Sequence, residues 1–314
     1  MNLEKYIEVK NEVKEALIAN IPIVALESTI ISHGMPFPKN MEMANECERL
    51  IRDNNVIPAT IAIINGKIKI GLTNEDLYLL ASSNNVEKVS RRDLVNVIAE
   101  NKTGATTVAA TMMIAKMVGI KFFVTGGIGG VHREFNETMD VSADLEELSK
   151  TDVNVICAGI KSILDLNKTV EYLETKGIPI IGYKTSELPA FFTRKSGIIL
   201  NIHKDSIDEM ARYLIIKNDL FISGGTLIVN PIEEKFQLKK EFIDKIIQES
   251  LLLAEKNNIK GKLITPFLLK EINNKTGGVS LEANIKLVYN NAIIGSKIAK
   301  EYYNLMKNKW MNFQ

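Results

Sequence analysis

Short apolar runs alternate along this chain with helical stripes, in the rhythm of a protein built from βα units. Leu3, Tyr6, Ile7, Val13 and Leu17 share one stripe, which predicts an amphipathic helix over 2–19. Ile21 to Leu26 reads as a short strand, followed by a helix over 40–53 with Asn40 at its N-cap and Met43, Ala44, Cys47, Leu50 and Ile51 on its buried face. Residues 59–71 alternate about Asn65-Gly66, the signal of a type I′ hairpin, so the sheet is not purely parallel. Thr73 and Asp76 form a capping box that opens the next helix, and the alanine-rich Thr103 to Gly119 reads as a buried helix. Strands are expected at 122–124, 153–158, 178–183, 198–202 and 221–229. Helices are expected at 162–175, with Ser162 and Asp165 as a capping box, and at 206–217. Residues 187–193 read as a helical turn or a lid, and helical patterns at 238–256, 266–275 and 280–306 fill most of the remainder. The expectation is a single α/β domain over 1–314: a mixed, mostly parallel central sheet flanked by helices, with a helical C-terminal portion wrapped on it.

Composition narrows what such a domain does. With 314 residues, 46% of them hydrophobic and 25% charged, the chain can bury one large core or two modest ones. Its 39 basic and 38 acidic side chains give a formal net charge of +1, so no general field draws it to nucleic acid or a lipid surface. Cys47 and Cys157 make neither a zinc site nor a disulfide framework and read as small core residues. Charged residues interrupt the first 20 positions in helical rhythm, and no uncharged apolar run reaches membrane-spanning length. Both features lead to an expected cytoplasmic location.

The candidate chemistry gathers between Lys121 and Ser162. There one apolar run breaks into Gly126, Gly127, Gly129 and Gly130, an acidic segment follows, and a second apolar run delivers Lys161. Ligands of open α/β sheets sit beyond the carboxyl ends of the strands, where these residues would fall. The glycines do not make a nucleotide loop. Read from Gly127 the pattern is G-x-G-x-x-H, with His132 where a dinucleotide fingerprint needs a small residue, and Gly159-Ile160-Lys161-Ser162 lacks the upstream glycine of a P-loop. What remains is backbone able to approach an anion closely.

Asp140 and Asp144 flank an expected helix start at Ser142. The helix dipole explains a carboxylate there, and coordination of Mg or Mn is the functional alternative. Lys161 and Lys184 both follow apolar strands, where a partly desolvated amine can attack a carbonyl carbon, and residue type does not choose between them. Glu27 closes the first strand, either as a solvated strand-end carboxylate or as an acid held against apolar walls and fit to donate a proton. Lys88, Arg91 and Arg92 read as a solvated basic turn or a phosphate contact. His33 lies in the loop that follows Glu27 and reads as a hydrogen-bonded side chain or a ligand.

Several blocks together resemble the pseudouridine-5′-phosphate glycosidase family, also called pseudouridylate synthase or indigoidine synthase A-like. They are ALES at Ala25, SHGMPFP at Ser32, GATTVAATM at Gly104, FFVTGGIGGVHR at Phe122, DVSADLEEL at Asp140 and ICAGIKSILDL at Ile156. Further blocks extend the resemblance over nearly the whole chain, among them YLETKGIPIIGY, LPAFF, TPFLL and SLEANIKLVYNNA. The resemblance implies reversible cleavage of the C–C glycosidic bond of pseudouridine 5′-phosphate to uracil and ribose 5-phosphate, with water consumed, in pseudouridine catabolism. It also implies one Mn²⁺ per subunit and a homotrimer. Carried over position by position, it makes Lys161 the nucleophile that holds C1′ as an imine, Glu27 the proton donor and Asp140 the metal site. Lys88, Val108, Ser142, Ala143 and Asp144 become substrate contacts, joined from neighbouring motif residues by Thr125, His132 and Asn284.

Overall fold

The computed structural model describes residues 3–311. Among them, eleven strands form one sheet: β1 (Ile7–Val9), β2 (Ile23–Leu26), β3 (Ile57–Ile64), β4 (Lys67–Ile70), β5 (Glu87–Val89), β6 (Gly104–Thr106), β7 (Phe122–Val124), β8 (Asn154–Cys157), β9 (Ile180–Tyr183), β10 (Ile202–Lys204) and β11 (Thr226–Val229). The body of the sheet is parallel, in the order β3-β2-β7-β8-β11-β9-β10. Every residue of β2, β7, β8 and β11 is buried, as expected for short apolar runs covered on both faces.

β3 is the joint between this body and a smaller antiparallel flap. Ile57 to Thr60 pairs in parallel with β2, whereas Ile61 to Ile64 pairs antiparallel with β4, and Ala62 and Ile63 pair antiparallel with β6. The predicted hairpin forms, with Asn65 and Gly66 at φ +48° and +72° as a type I′ turn requires.

The topology also fixes where a ligand can sit. From β2 the chain moves outward to β3, while β7 lies on the opposite side of β2 and continues to β8. Right-handed crossovers therefore put the intervening helices on opposite faces and open a crevice between the carboxyl ends of β2 and β7. Helices Lys39–Asp53, Val279–Met311 and Ile207–Asp219 pack on one another as one layer, and Val108–Met117 packs on Ala143–Lys150 in the other. Gly295 lets the long C-terminal helix lie directly on the sheet, since a Cβ there would stand 2.3 Å from Val124 Cγ2.

Several local expectations change. The helix expected over 2–19, whose residue 2 lies outside the described residues, is not one helix: Ile7–Val9 joins β4 as a strand and the helix is Asn11–Ile18, because the edge of the hairpin offers a ladder to a segment with β-branched Ile7 and Val9 on one face. Thr103 to Gly119 divides into β6 and helix Val108–Met117, which Thr107 caps. The helix expected from Ser162 begins at Leu166, with Asp165 rather than Ser162 at the cap. Asn40 lies inside its helix, where its buried amide donates to Ile31 O and Ala81 O. Residues 187–193 are no lid. They fold into bridged turns, with Phe191 and Phe192 buried edge to face. The last two strands are Ile202–Lys204 and Thr226–Val229, each later than expected.

Candidate active site

Three strand ends deliver the central side chains. Glu27 follows β2, Thr125 follows β7, and Lys161 lies a few residues beyond β8. Glu27 is 6% exposed, and both its carboxylate oxygens are taken: Thr125 Oγ1 donates to Oε1 and Thr29 Oγ1 to Oε2. Two hydroxyls from different elements thus fix the rotation of one carboxyl group. Beyond β8 the chain stays tied to the glycine loop, with Ile128 N donating to Gly159 O and Lys161 N to Ile128 O, each at 3.1 Å. Gly159 makes this path open to no other residue. It has φ +92°, and a Cβ would fall 2.1 Å from Pro189 O.

Two helix N-termini close the opposite wall. Ser142 caps helix Ala143–Lys150, and Thr107 caps helix Val108–Met117. Asp144 joins them. Its Oδ1 accepts from Ala109 N at 2.9 Å and its Oδ2 from Gly129 N at 2.8 Å, so one buried anion brackets both helices and the glycine loop. Gly129 has to be glycine for this bracket, because a Cβ would come within 2.2 Å of Ser142 Oγ and 2.8 Å of Asp144 Oδ2.

His132 Nε2 lies 3.8 Å from Asp140 Oδ2, and its backbone N–H donates to Asp140 O. Burial pushes this imidazole below its ordinary range against the pull of Asp140, which favours the neutral ring. Asn284 enters from the C-terminal helix. It is buried, and its Oδ1 has no hydrogen-bond partner among the described residues.

These groups line one cleft of about 420 Å³ at the switch point. All eleven sequence-predicted site residues face it: Glu27, Lys88, Val108, Thr125, His132, Asp140, Ser142, Ala143, Asp144, Lys161 and Asn284. Lys184 is not among the lining residues. It sits at φ +53° with its Nζ over the Tyr183 ring, so of the two strand-end lysines only Lys161 reaches the cleft. Lys88, on β5, Arg91 and Arg92 all line the cleft, and Arg91 also spends its fork on Glu147, with bonds of 2.5 and 2.7 Å to a carboxylate that is 1% exposed. Arg91→Ala is expected to cost about 1–3 kcal/mol, since the buried Glu147 carboxylate loses its partner; a denaturant midpoint equal to wild type would contradict this.

Sequence reading missed Thr29 and the rim formed by Gly261, Thr265, Pro266 and Leu269. Thr29 follows Glu27 at a spacing with no motif of its own, and the rim residues reach the cleft only through tertiary packing.

A doubly wound sheet with an acid, an amine and two helix N-termini in its switch-point crevice has the layout of an α/β enzyme. The family model for indigoidine synthase A-like proteins matches residues 12–301. Pseudouridine-5′-phosphate glycosidase of Staphylococcus aureus is 61% identical over 298 residues, covering 95% of this chain and 97% of that one. The protein of the same name from Petrotoga mobilis is 56% identical, covering 96% and 99%. Among solved structures, the prealnumycin C-glycosynthase AlnA in complex with ribulose 5-phosphate superposes with a TM-score of 0.89 at 34% identity, covering 97% and 99%. An indigoidine synthase A-like protein from Thermotoga maritima superposes at 0.87 with 33% identity, covering 95% and 97%. The chain belongs to the indigoidine synthase A-like family, alongside the pseudouridine-5′-phosphate glycosidases, and is an enzyme.

Proposed function

We propose that this enzyme cleaves the C–C glycosidic bond of pseudouridine 5′-phosphate, reversibly, to give uracil and ribose 5-phosphate with one water consumed. The observation that carries the reading is the meeting of Lys161 and the doubly hydrogen-bonded Glu27 in one cleft walled by two helix N-termini. The names and identity of the relatives support the substrate.

The chemistry requires both groups. The leaving atom is a carbon, C5 of uracil, and it has to receive a proton as its bond breaks. In the proposed sequence the C1′–O4′ bond opens with O4′ taking a proton, and Lys161 Nζ bonds to C1′. Glu27 takes up a proton that Nζ sheds on bonding to C1′ and then delivers it to C5. The electrons of the C1′–C5 bond return to the pyrimidine ring, and the Nζ lone pair closes the iminium at C1′. Water adds to the iminium and expels the lysine, leaving ribose 5-phosphate. The two-carboxylate scheme of ordinary glycosidases is not the template, because here an amine takes the sugar carbon.

Lys88, Val108 and the Ser142-Ala143-Asp144 turn are assigned to the sugar phosphate. There the helix amides and a cation suit an anion, while Asp144 itself holds the wall together. Thr125 and His132 border the reacting centre. Asn284 offers its carbonyl oxygen, without a partner among the described residues, to an N–H of the pyrimidine.

Asp140 is the residue assigned to Mn²⁺. Among the described residues no three His, Cys, Asp or Glu groups cluster as a metal cage, and the Asp140 side chain is 33% exposed at the cleft. One carboxylate open to the cleft fits a hard, hydrated divalent cation, which Asp140 would hold and which would supply positive charge to the substrate. Chelation is expected to remove activity and Mn²⁺ to restore it, with Asp140→Asn weakening the Mn²⁺ dependence; full activity after chelation would remove the metal from the reading. A homotrimeric, cytoplasmic enzyme completes the proposal. Among the described residues no helix is long and apolar enough to cross a membrane.

The test of the whole reading is uracil release from pseudouridine 5′-phosphate without ATP. A sugar-phosphate-binding module would leave the substrate intact, and a kinase-type transferase would demand ATP.

A further inference from the structure

The ladder between β7 and β8 is interrupted where the site begins. Val124 pairs with Ile156, and Thr125 N donates to Ile156 O at 3.1 Å, so the next parallel bond would run from Ala158 N to Thr125 O. Instead Ala158 N donates to Gly126 O at 2.8 Å, one residue further along. The slip leaves Thr125 O without its ladder donor inside the protein, where an unmet carbonyl is costly.

Asn291 fills the gap. It is fully buried on helix Val279–Met311, and its Nδ2 donates to Thr125 O at 2.9 Å and to Gly126 O at 3.3 Å. Its own Oδ1 accepts from Asn230 Nδ2 at 3.0 Å, and Asn230, directly after β11, continues the ladder through its N–H to Cys157 O. The amide is therefore held at both ends and cannot turn over. Gly295, one turn later, brings the helix close enough for this reach. Thr125, the residue held at the slipped peptide, is the one whose hydroxyl donates to Glu27.

We propose that Asn291, buttressed by Asn230, is a positioning residue for the proton donor: it pins the Thr125 peptide so that Thr125 aims the Glu27 carboxyl at the carbon to be protonated. The inference rests on the functional reading above. It assigns Asn291 to one step, protonation of the departing ring, and leaves capture of the sugar by Lys161 untouched.

That division makes the test specific. Ribose 5-phosphate alone forms an imine with Lys161 without any ring to protonate, and borohydride reduces it to a stable amine. Asn291→Ala is expected to lower kcat for uracil release on the order of 10²-fold with KM near wild type, while the rate of ribose 5-phosphate trapping on Lys161 stays near wild type. Asn230→Ala, which leaves Asn291 in place, is expected to lower kcat in the same selective way but less, and adding it to Asn291→Ala is expected to change nothing further. Equal losses of trapping and uracil release in Asn230→Ala, or normal uracil release in either variant, would overturn the inference. A wild-type protein that releases no uracil would instead overturn the functional reading.

Discussion

Lys161→Ala is expected to abolish uracil release, by on the order of 10⁴-fold or more, while the protein unfolds at the wild-type temperature. The structural links at this position are made by the backbone: Lys161 N donates to Ile128 O, and Leu164 N donates to Lys161 O. Truncating the side chain leaves both, so the loss is chemical. Lys161→Arg is expected to be equally inactive, because a guanidinium cannot shed its proton to become a nucleophile. That variant separates attack on carbon from simple attraction of a phosphate. In the wild type, borohydride with ribose 5-phosphate is expected to leave a sugar adduct that peptide mapping places on Lys161. An adduct on Lys184 would overturn the assignment, and so would substantial turnover by either variant.

The acid and the amine of this site are legible in the sequence because each follows an apolar run short enough to be a buried strand, Glu27 after Leu26 and Lys161 after Cys157; the resemblance to a known family supplies their roles and adds Thr125. Sequence left two other kinds of feature unread. Three-residue strands such as Ile7–Val9 and Gly104–Thr106 carry too few positions for a period of two to stand apart from a helical stripe, and only the neighbouring hairpin decides them. Polar residues whose partners are distant in the chain carry no local sign at all. Arg91 reads as a solvated basic residue until Glu147 is placed beside it, and Asn291 reads as one more amide in a helix until the slipped peptide at Thr125 is seen. Asp144 shows both levels at once. Its place near a helix start was visible, and its bond to Gly129 N was not.

Glu27→Gln tests the other half of the chemistry. The substitution keeps the size of the side chain but puts an NH₂ where the carboxylate accepted a hydrogen bond, so either Thr29 or Thr125 has to turn its hydroxyl. The expected loss in uracil release is about 10²–10⁴-fold, the range of a positioned general acid. Ribose 5-phosphate is still expected to be trapped on Lys161 at close to the wild-type rate, since imine formation with the free sugar protonates no ring carbon. Wild-type turnover in D₂O is expected to place deuterium at C5 of uracil, as direct protonation of the leaving carbon requires. Unimpaired uracil release by the Gln variant would remove Glu27 from the acid role and leave the two threonine bonds as a structural clasp. Loss of sugar trapping along with cleavage would mean that Glu27 serves the lysine rather than the departing ring. The pairing of lost cleavage with kept trapping is the result demanded when the acid and the amine serve different steps.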